Sequence, residues 1–192
     1  MMGIGEPLDN YENVVRFIRM ARDTNGLGIS CRNLSLSTCG LAEQIIRLSE
    51  EGLPVTLSVS LHSPFNTQRS EMMPVNRKYP LDKLLDACNI YTLNTGRRIT
   101  YEYALIEGIN DSEAHAARLV SLLKGKLCHV NLIPVNRVEG PGYEKASKKN
   151  IMSFQKILAA GGINVTLRRT LGRDIKAACG QLRRAEDENR RQ

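Results

Sequence analysis

The stretch Pro54-Val55-Thr56-Leu57-Ser58-Val59-Ser60-Leu61-His62 alternates apolar and polar residues without a break. Successive side chains of an extended chain point to opposite faces. Val55, Leu57, Val59 and Leu61 therefore share one face, and Thr56, Ser58, Ser60 and His62 the other. The spacing predicts a strand over residues 54–62 with one side for a core and one polar side. Outward from it, residues 42–51 and 81–95 carry helical spacing. A strand set between two helices is the repeating unit of a βα fold.

The alternation continues along the chain. Residues 10–23 predict an amphipathic helix, with Val14, Val15, Phe17, Ile18 and Ala21 near helical spacing. Residues 29–38 and 98–106 predict strands, and 112–124 a helix for which Asn110-Asp111 offers the cap. A strand over 127–135, a helix over 147–160 ended by Gly161-Gly162, and a strand over 163–168 follow. No composition shift divides residues 1–182, and residues 183–192 form a mixed-charge tail. The pattern implies an α/β protein with a mostly parallel sheet. An open doubly wound sheet and a barrel both fit, and in either the C-terminal strand ends line the site. Those ends are polar: Gly5-Glu6-Pro7, Ser37-Thr38, Ser60-Leu61-His62, Glu107-Gly108 and Asn136. Each has a bland use as a cap or turn, but five such clusters at five strand ends suit a ligand pocket.

With 192 residues and 42% hydrophobic content, the chain is long enough for one domain with a sizeable core. No apolar run reaches the length of a membrane span, and no signal peptide opens the sequence. Cys31, Cys39, Cys88, Cys128 and Cys179 are odd in number, scattered and free of any CxxC pair. That usage fits a reducing cytoplasm and argues against a disulfide scaffold or a zinc site. Formal net charge is +7, which suits an anionic partner, with nucleic acid first. Arg183, Arg184, Arg190 and Arg191 interleave with Glu186, Asp187 and Glu188 and read as a solvated end. Arg168, Arg169 and Arg173 lie close in sequence to Cys179 and are the candidates for contact with such a nucleic acid. Cys179 itself sits in Ala177-Ala178-Cys179-Gly180-Gln181-Leu182, among small residues that allow close approach. Nearby arginines favour its thiolate, the form that acts as a nucleophile.

Seven motifs then occur in one order along nearly the whole chain. They are Met2-Gly3-Ile4-Gly5-Glu6-Pro7-Leu8, Leu36-Ser37-Thr38-Cys39-Gly40, Val59-Ser60-Leu61-His62-Ser63 and Met73-Pro74-Val75-Asn76-Arg77, followed by Glu102-Tyr103-Ala104-Leu105-Ile106, Val130-Asn131-Leu132-Ile133-Pro134-Val135-Asn136 and Ala178-Cys179-Gly180-Gln181-Leu182. On these the chain resembles the C-terminal part of the RlmN-type radical S-adenosylmethionine (SAM) methyltransferases, which act on adenine C2 of 23S rRNA and tRNA. The Cfr-type enzymes, which methylate C8, carry nearly the same motifs. The resemblance implies a radical-SAM (β/α) barrel. It also implies SAM contacts at Gly5, Glu6, Ser37, Ser60, Leu61, His62 and Asn136, with the Glu6 carboxylate taking the SAM ammonium. Cys179 matches the cysteine that is S-methylated by one SAM. A second SAM, cleaved reductively, then activates that methyl group for addition to adenine C2. Adenine C2 is electron-poor and cannot attack the SAM methyl directly, so a carbon radical on the protein reverses the direction of attack.

The sequence departs from the family in one respect. The CxxxCxxC motif that holds a [4Fe–4S] cluster is absent: no cysteine spacing here fits it. The resemblance places that motif ahead of Gly5-Glu6-Pro7, together with a first βα unit. The chain therefore reads as an incomplete barrel from a truncated frame, a split gene or an expressed fragment. Its cluster belongs on a missing N-terminal segment or a second chain. Expected consequences are no metal ligands in this chain, weak SAM affinity and no reductive chemistry in isolation. The alternative is a catalytically dead SAM- or RNA-binding module.

Overall fold

The computed structural model describes residues 1–2, 5–135 and 144–168. A 3-10 turn at Pro7–Asn10 leads into α1 (Tyr11–Arg22), β1 (Ser35–Thr38), α2 (Ala42–Glu50), β2 (Thr56–Ser60), α3 (Asn66–Met72) and α4 (Leu81–Thr95). Then follow β3 (Ile99–Leu105), α5 (Glu113–Leu123), β4 (Cys128–Pro134), α6 (Lys148–Ala160) and β5 (Val165–Leu167). The strands lie side by side in chain order, and every pair is parallel. A doubly wound sheet reverses its strand order partway; this sheet does not, so it is a sector of a β/α barrel. Right-handed crossovers taken always in the same direction put the connecting helices on one face.

That face is the apolar one. Leu36, Leu57, Val59, Tyr101, Tyr103, Val130 and Leu132 are buried against Ile45, Leu48, Leu84, Tyr91, Leu119, Phe154 and Leu158 of the helices. The opposite face carries two polar rows across the strands. Ser37, Ser58, Thr100 and His129 are successive partners in one, and Ser60, Glu102, Asn131 and Thr166 in the other. Beside β1, the Met1 amino group bonds Ser35 O and its carbonyl accepts from Ser37 N at 3.1 Å, the bonding of a parallel neighbour.

Two local expectations change, and one helix is added. Residues 31–33 form a 3-10 turn, with the Ser30 hydroxyl accepting from Arg32 N at 3.3 Å, so β1 begins only at Ser35. A serine that bonds its own backbone competes with a strand ladder. Helix α5 is capped by Ser112, whose Oγ accepts from His115 N at 3.4 Å. Asn110 and Asp111 serve the preceding turn instead: Asn110 Oδ1 accepts from Ile106 N at 2.8 Å and Asp111 Oδ1 from Gly108 N at 3.0 Å. Helix α3 carries no apolar stripe in its sequence, so periodicity does not announce it.

Candidate active site

Three of the five polar clusters, at Gly5-Glu6-Pro7, Ser37-Thr38 and Ser60, meet around a cleft of about 620 Å³, whereas Glu107-Gly108 does not line it. Gly5, Glu6, Pro7, Asn10 and Val14 form one wall, Ser37, Thr38 and Cys39 at the end of β1 another, and Ser60 ends β2 against it. The volume lies within the range typical of small-molecule sites. Gly5 has φ +95, and a side chain there would be strained; the space where its Cβ would stand is open. Glu6 caps the 3-10 turn. Its Oε1 accepts from Leu8 N at 2.9 Å and its Oε2 from Cys39 N at 2.6 Å. The Cys39 thiol, pushed up to about 12 by burial and by its hydrogen bond to Glu6, stays protonated at neutral pH.

Ser60, Leu61 and His62 have different surroundings. Ser60 faces the cleft, whereas Leu61 is fully buried and its amide donates to Glu102 O at 3.0 Å. His62 has φ 57, in the left-handed region. Its Nδ1 accepts from Ala104 N at 3.0 Å, which places the imidazole proton on Nε2, and its carbonyl accepts from Asn110 Nδ2 at 2.7 Å. Burial and then the charge of Arg69 push His62 down to about 4. Arg168 stands exposed beyond the end of β5, its amide bonded to Leu132 O at 2.8 Å. Asn136, Arg169, Arg173, Cys179 and the tail over residues 183–192 lie outside the described residues.

Two charged residues at the site escaped the sequence reading. Glu102 lies on the polar face next to Ser60 and accepts from Asn131 Nδ2 at 2.8 Å. Burial raises its pKa against the pull of Asn131 and Arg168. A carboxylate within a strand otherwise made of β-formers was the available signal. Arg69, on α3, is fully buried beneath the cleft, and burial lowers its pKa to about 10, leaving it charged at neutral pH. No one-dimensional signal marks it.

The cleft offers carboxylate, hydroxyl and backbone groups to one side of an open, concave pocket, which fits a polar nucleoside such as SAM. A [4Fe–4S] cluster does not fit the described residues, among which no three His, Cys, Asp or Glu side chains come together.

No family model matches the sequence. Two groups of relatives do. The chain is 51% identical over 184 residues to the probable dual-specificity RNA methyltransferase RlmN of Thermoanaerobacter sp. (strain X514), covering 96% of this chain and 54% of that protein. It is 52% identical over 184 residues to the protein of the same description from Clostridium tetani (strain Massachusetts / E88), covering 96% and 53%. The crystal structure of a radical SAM methyltransferase from Sphaerobacter thermophilus superposes with a TM-score of 0.90 at 47% identity, over 94% of this chain and 53% of that one. A domain of a pyruvate-formate lyase-activating enzyme from Bacteroides vulgatus ATCC 8482 has the same fold at 20% identity, with a TM-score of 0.67 over 86% of this chain and 96% of that one.

A parallel barrel sector with its polar groups gathered at the strand ends, matched over nearly its whole length, is the core of a radical SAM protein. Within that class the chain belongs to the RlmN family. It spans about half the length of the curated relatives it matches.

Proposed function

We propose that this chain is the SAM-holding and methyl-carrying part of an RNA methyltransferase that modifies C2 of adenine in 23S rRNA and tRNA. The observation that carries the proposal is the cleft, where Gly5, Glu6, Ser37 and Ser60 come together from three segments distant in sequence. SAM, when bound, supplies the methyl group and the means of its activation. Glu6 holds the ammonium end: each carboxylate oxygen already accepts one backbone N–H, and a further lone pair remains on each. Ser37 and Ser60 meet the uncharged groups of the nucleoside, where neutral donors suffice. Cys179 accepts the methyl group and delivers the carbon to the base. Arg168, Arg169 and Arg173 take phosphates of the RNA, in keeping with the net charge of +7.

The sequence has no CxxxCxxC triad, so we assign this chain no reductive step. Such a protein works in a reducing cytoplasm, where the four described cysteines stay free thiols. The test is Cys179→Ala in the full-length enzyme, with methylation at adenine C2 read by mass spectrometry of the RNA. Transfer should vanish while SAM binding persists. Methylation at C2 surviving in the variant would overturn the proposal, and methylation at C8 in the unsubstituted enzyme would reassign its site.

A further inference from the structure

One charge, on Arg69, is buried beneath the cleft. None of the ion pairs among the described residues includes Arg69. Its guanidinium bonds only neutral acceptors: Nε donates to Leu61 O at 3.0 Å, Nη2 to Cys39 O and Ser60 O at 2.9 Å each, and Nη1 to Asn76 Oδ1 at 2.8 Å. A buried cation without a counter-charge is costly, and an apolar side chain fills space at less expense. What the guanidinium adds is a rigid planar fork that holds several carbonyls in one arrangement.

Those carbonyls belong to the rim of the cleft. Cys39 is gripped from both sides, its carbonyl by Arg69 and its amide by Glu6 Oε2 at 2.6 Å. The next amide, Gly40 N, donates to Thr38 Oγ1 at 3.1 Å. Gly40 has φ +109, and a Cβ there would stand 3.0 Å from Leu84 and 3.3 Å from Arg69 Nη2, so the backbone passes directly over the guanidinium. On the far side, Asn76 Nδ2 donates to Asn66 O at 3.0 Å and Ser70 Oγ at 2.8 Å, closing α3 onto the same group. Arg69 is also the charge that helps keep His62 neutral, the form whose Nδ1 can accept from Ala104.

We propose that Arg69 is the positioning residue of the cleft. It ties the ends of β1 and β2 into one rim, so that Glu6 and Ser60 keep the places from which the ammonium and the uncharged nucleoside groups of a ligand such as SAM are recognised. The inference rests on the SAM assignment above. Two measurements on the full-length enzyme that contains this chain test it, in Arg69→Met and Arg69→Lys variants whose folding is verified by circular dichroism.

Calorimetry with S-adenosylhomocysteine should give an affinity loss of about tenfold or more for Arg69→Met, with Arg69→Lys between it and the unsubstituted enzyme. A folded variant binding as tightly as the unsubstituted enzyme overturns the inference alone; where Arg69→Met does not fold, Arg69→Lys decides. An unsubstituted full-length enzyme that does not bind the probe overturns the SAM assignment and the inference with it. The second measurement is 15N NMR of the His62 ring. It should hold one Nε2–H tautomer down to about pH 5 in the unsubstituted enzyme, and take up protons at higher pH in Arg69→Met, which lacks the cation. An identical His62 titration in folded Arg69→Met reduces Arg69 to a structural plug and overturns the inference.

Discussion

His62 sets a pH limit on the fold. Its pKa is lowered from 6.5 to about 4 in the folded chain. Between those values the unfolded chain binds the extra proton and the folded chain does not, so stability falls as the pH drops. The full effect is about 3 kcal/mol, present above pH ~6.5 and gone below pH ~4. Urea titrations across this window should give a steeper loss for the unsubstituted chain than for His62→Asn, which tolerates the left-handed backbone without a titrating ring. Equal slopes would contradict the assignment of that proton. At this scale the sequence was partly legible. Ser37 and Ser60 stand toward the ends of β1 and β2, which a βα pattern brings together. Arg69 was illegible, since its meaning comes from Cys39, 30 residues away in the chain, and Glu102 showed only as a carboxylate in a strand, its partner Asn131 lying at a separation of 29.

The helices were read from spacing, and their ends from glycine. Residues 81–95 form α4 as the pattern predicts, and α6 stops at Ala160 where the two glycines begin. Gly162 has φ +80, the left-handed conformation expected beyond a helix end. Gly161 is there for another reason. A Cβ on it would stand 2.5 and 2.7 Å from the Val120 methyls, so α6 ends hard against α5. Gly161→Ala should destabilise the fold by about 1–3 kcal/mol, the usual range for overpacking. Val120→Ala in the same chain should recover part of that loss in a double-mutant cycle; strict additivity would mean that the contact is not the cause. Helix α3 shows the limit of pattern reading. It packs a charged side chain inward, and a hydrophobic template has nothing to find there.

At the scale of the whole molecule, strand order decided what periodicity left open. Alternation predicts parallel strands in either architecture; only the unreversed order β1-β2-β3-β4-β5 selects the barrel sector. Of the seven motifs that carry the resemblance, those over residues 36–40, 59–63 and 102–106 run over the ends of β1, β2 and β3, where chemistry restricts the residues. Cysteine spacing carries a separate expectation. After anaerobic reconstitution with iron and sulfide, this chain should retain negligible iron and lack the visible absorption of an iron–sulfur cluster. A stoichiometric four-iron cluster on the chain alone would contradict this.

The two rows across the sheet have a consequence for solubility. The concave side of a barrel arc is its inner wall, where Ser60, Thr100 and Asn131 keep partial exposure while Ser58 and Glu102 are buried, and a wall of leucines there would seek any greasy surface in reach. Here hydroxyls and amides stand in those places, from Ser37 through Thr100 to Thr166, and Glu102 is tethered to Asn131 among them. Water can wet such a wall at little penalty, and the same wettable lining is what a polar guest meets on arrival.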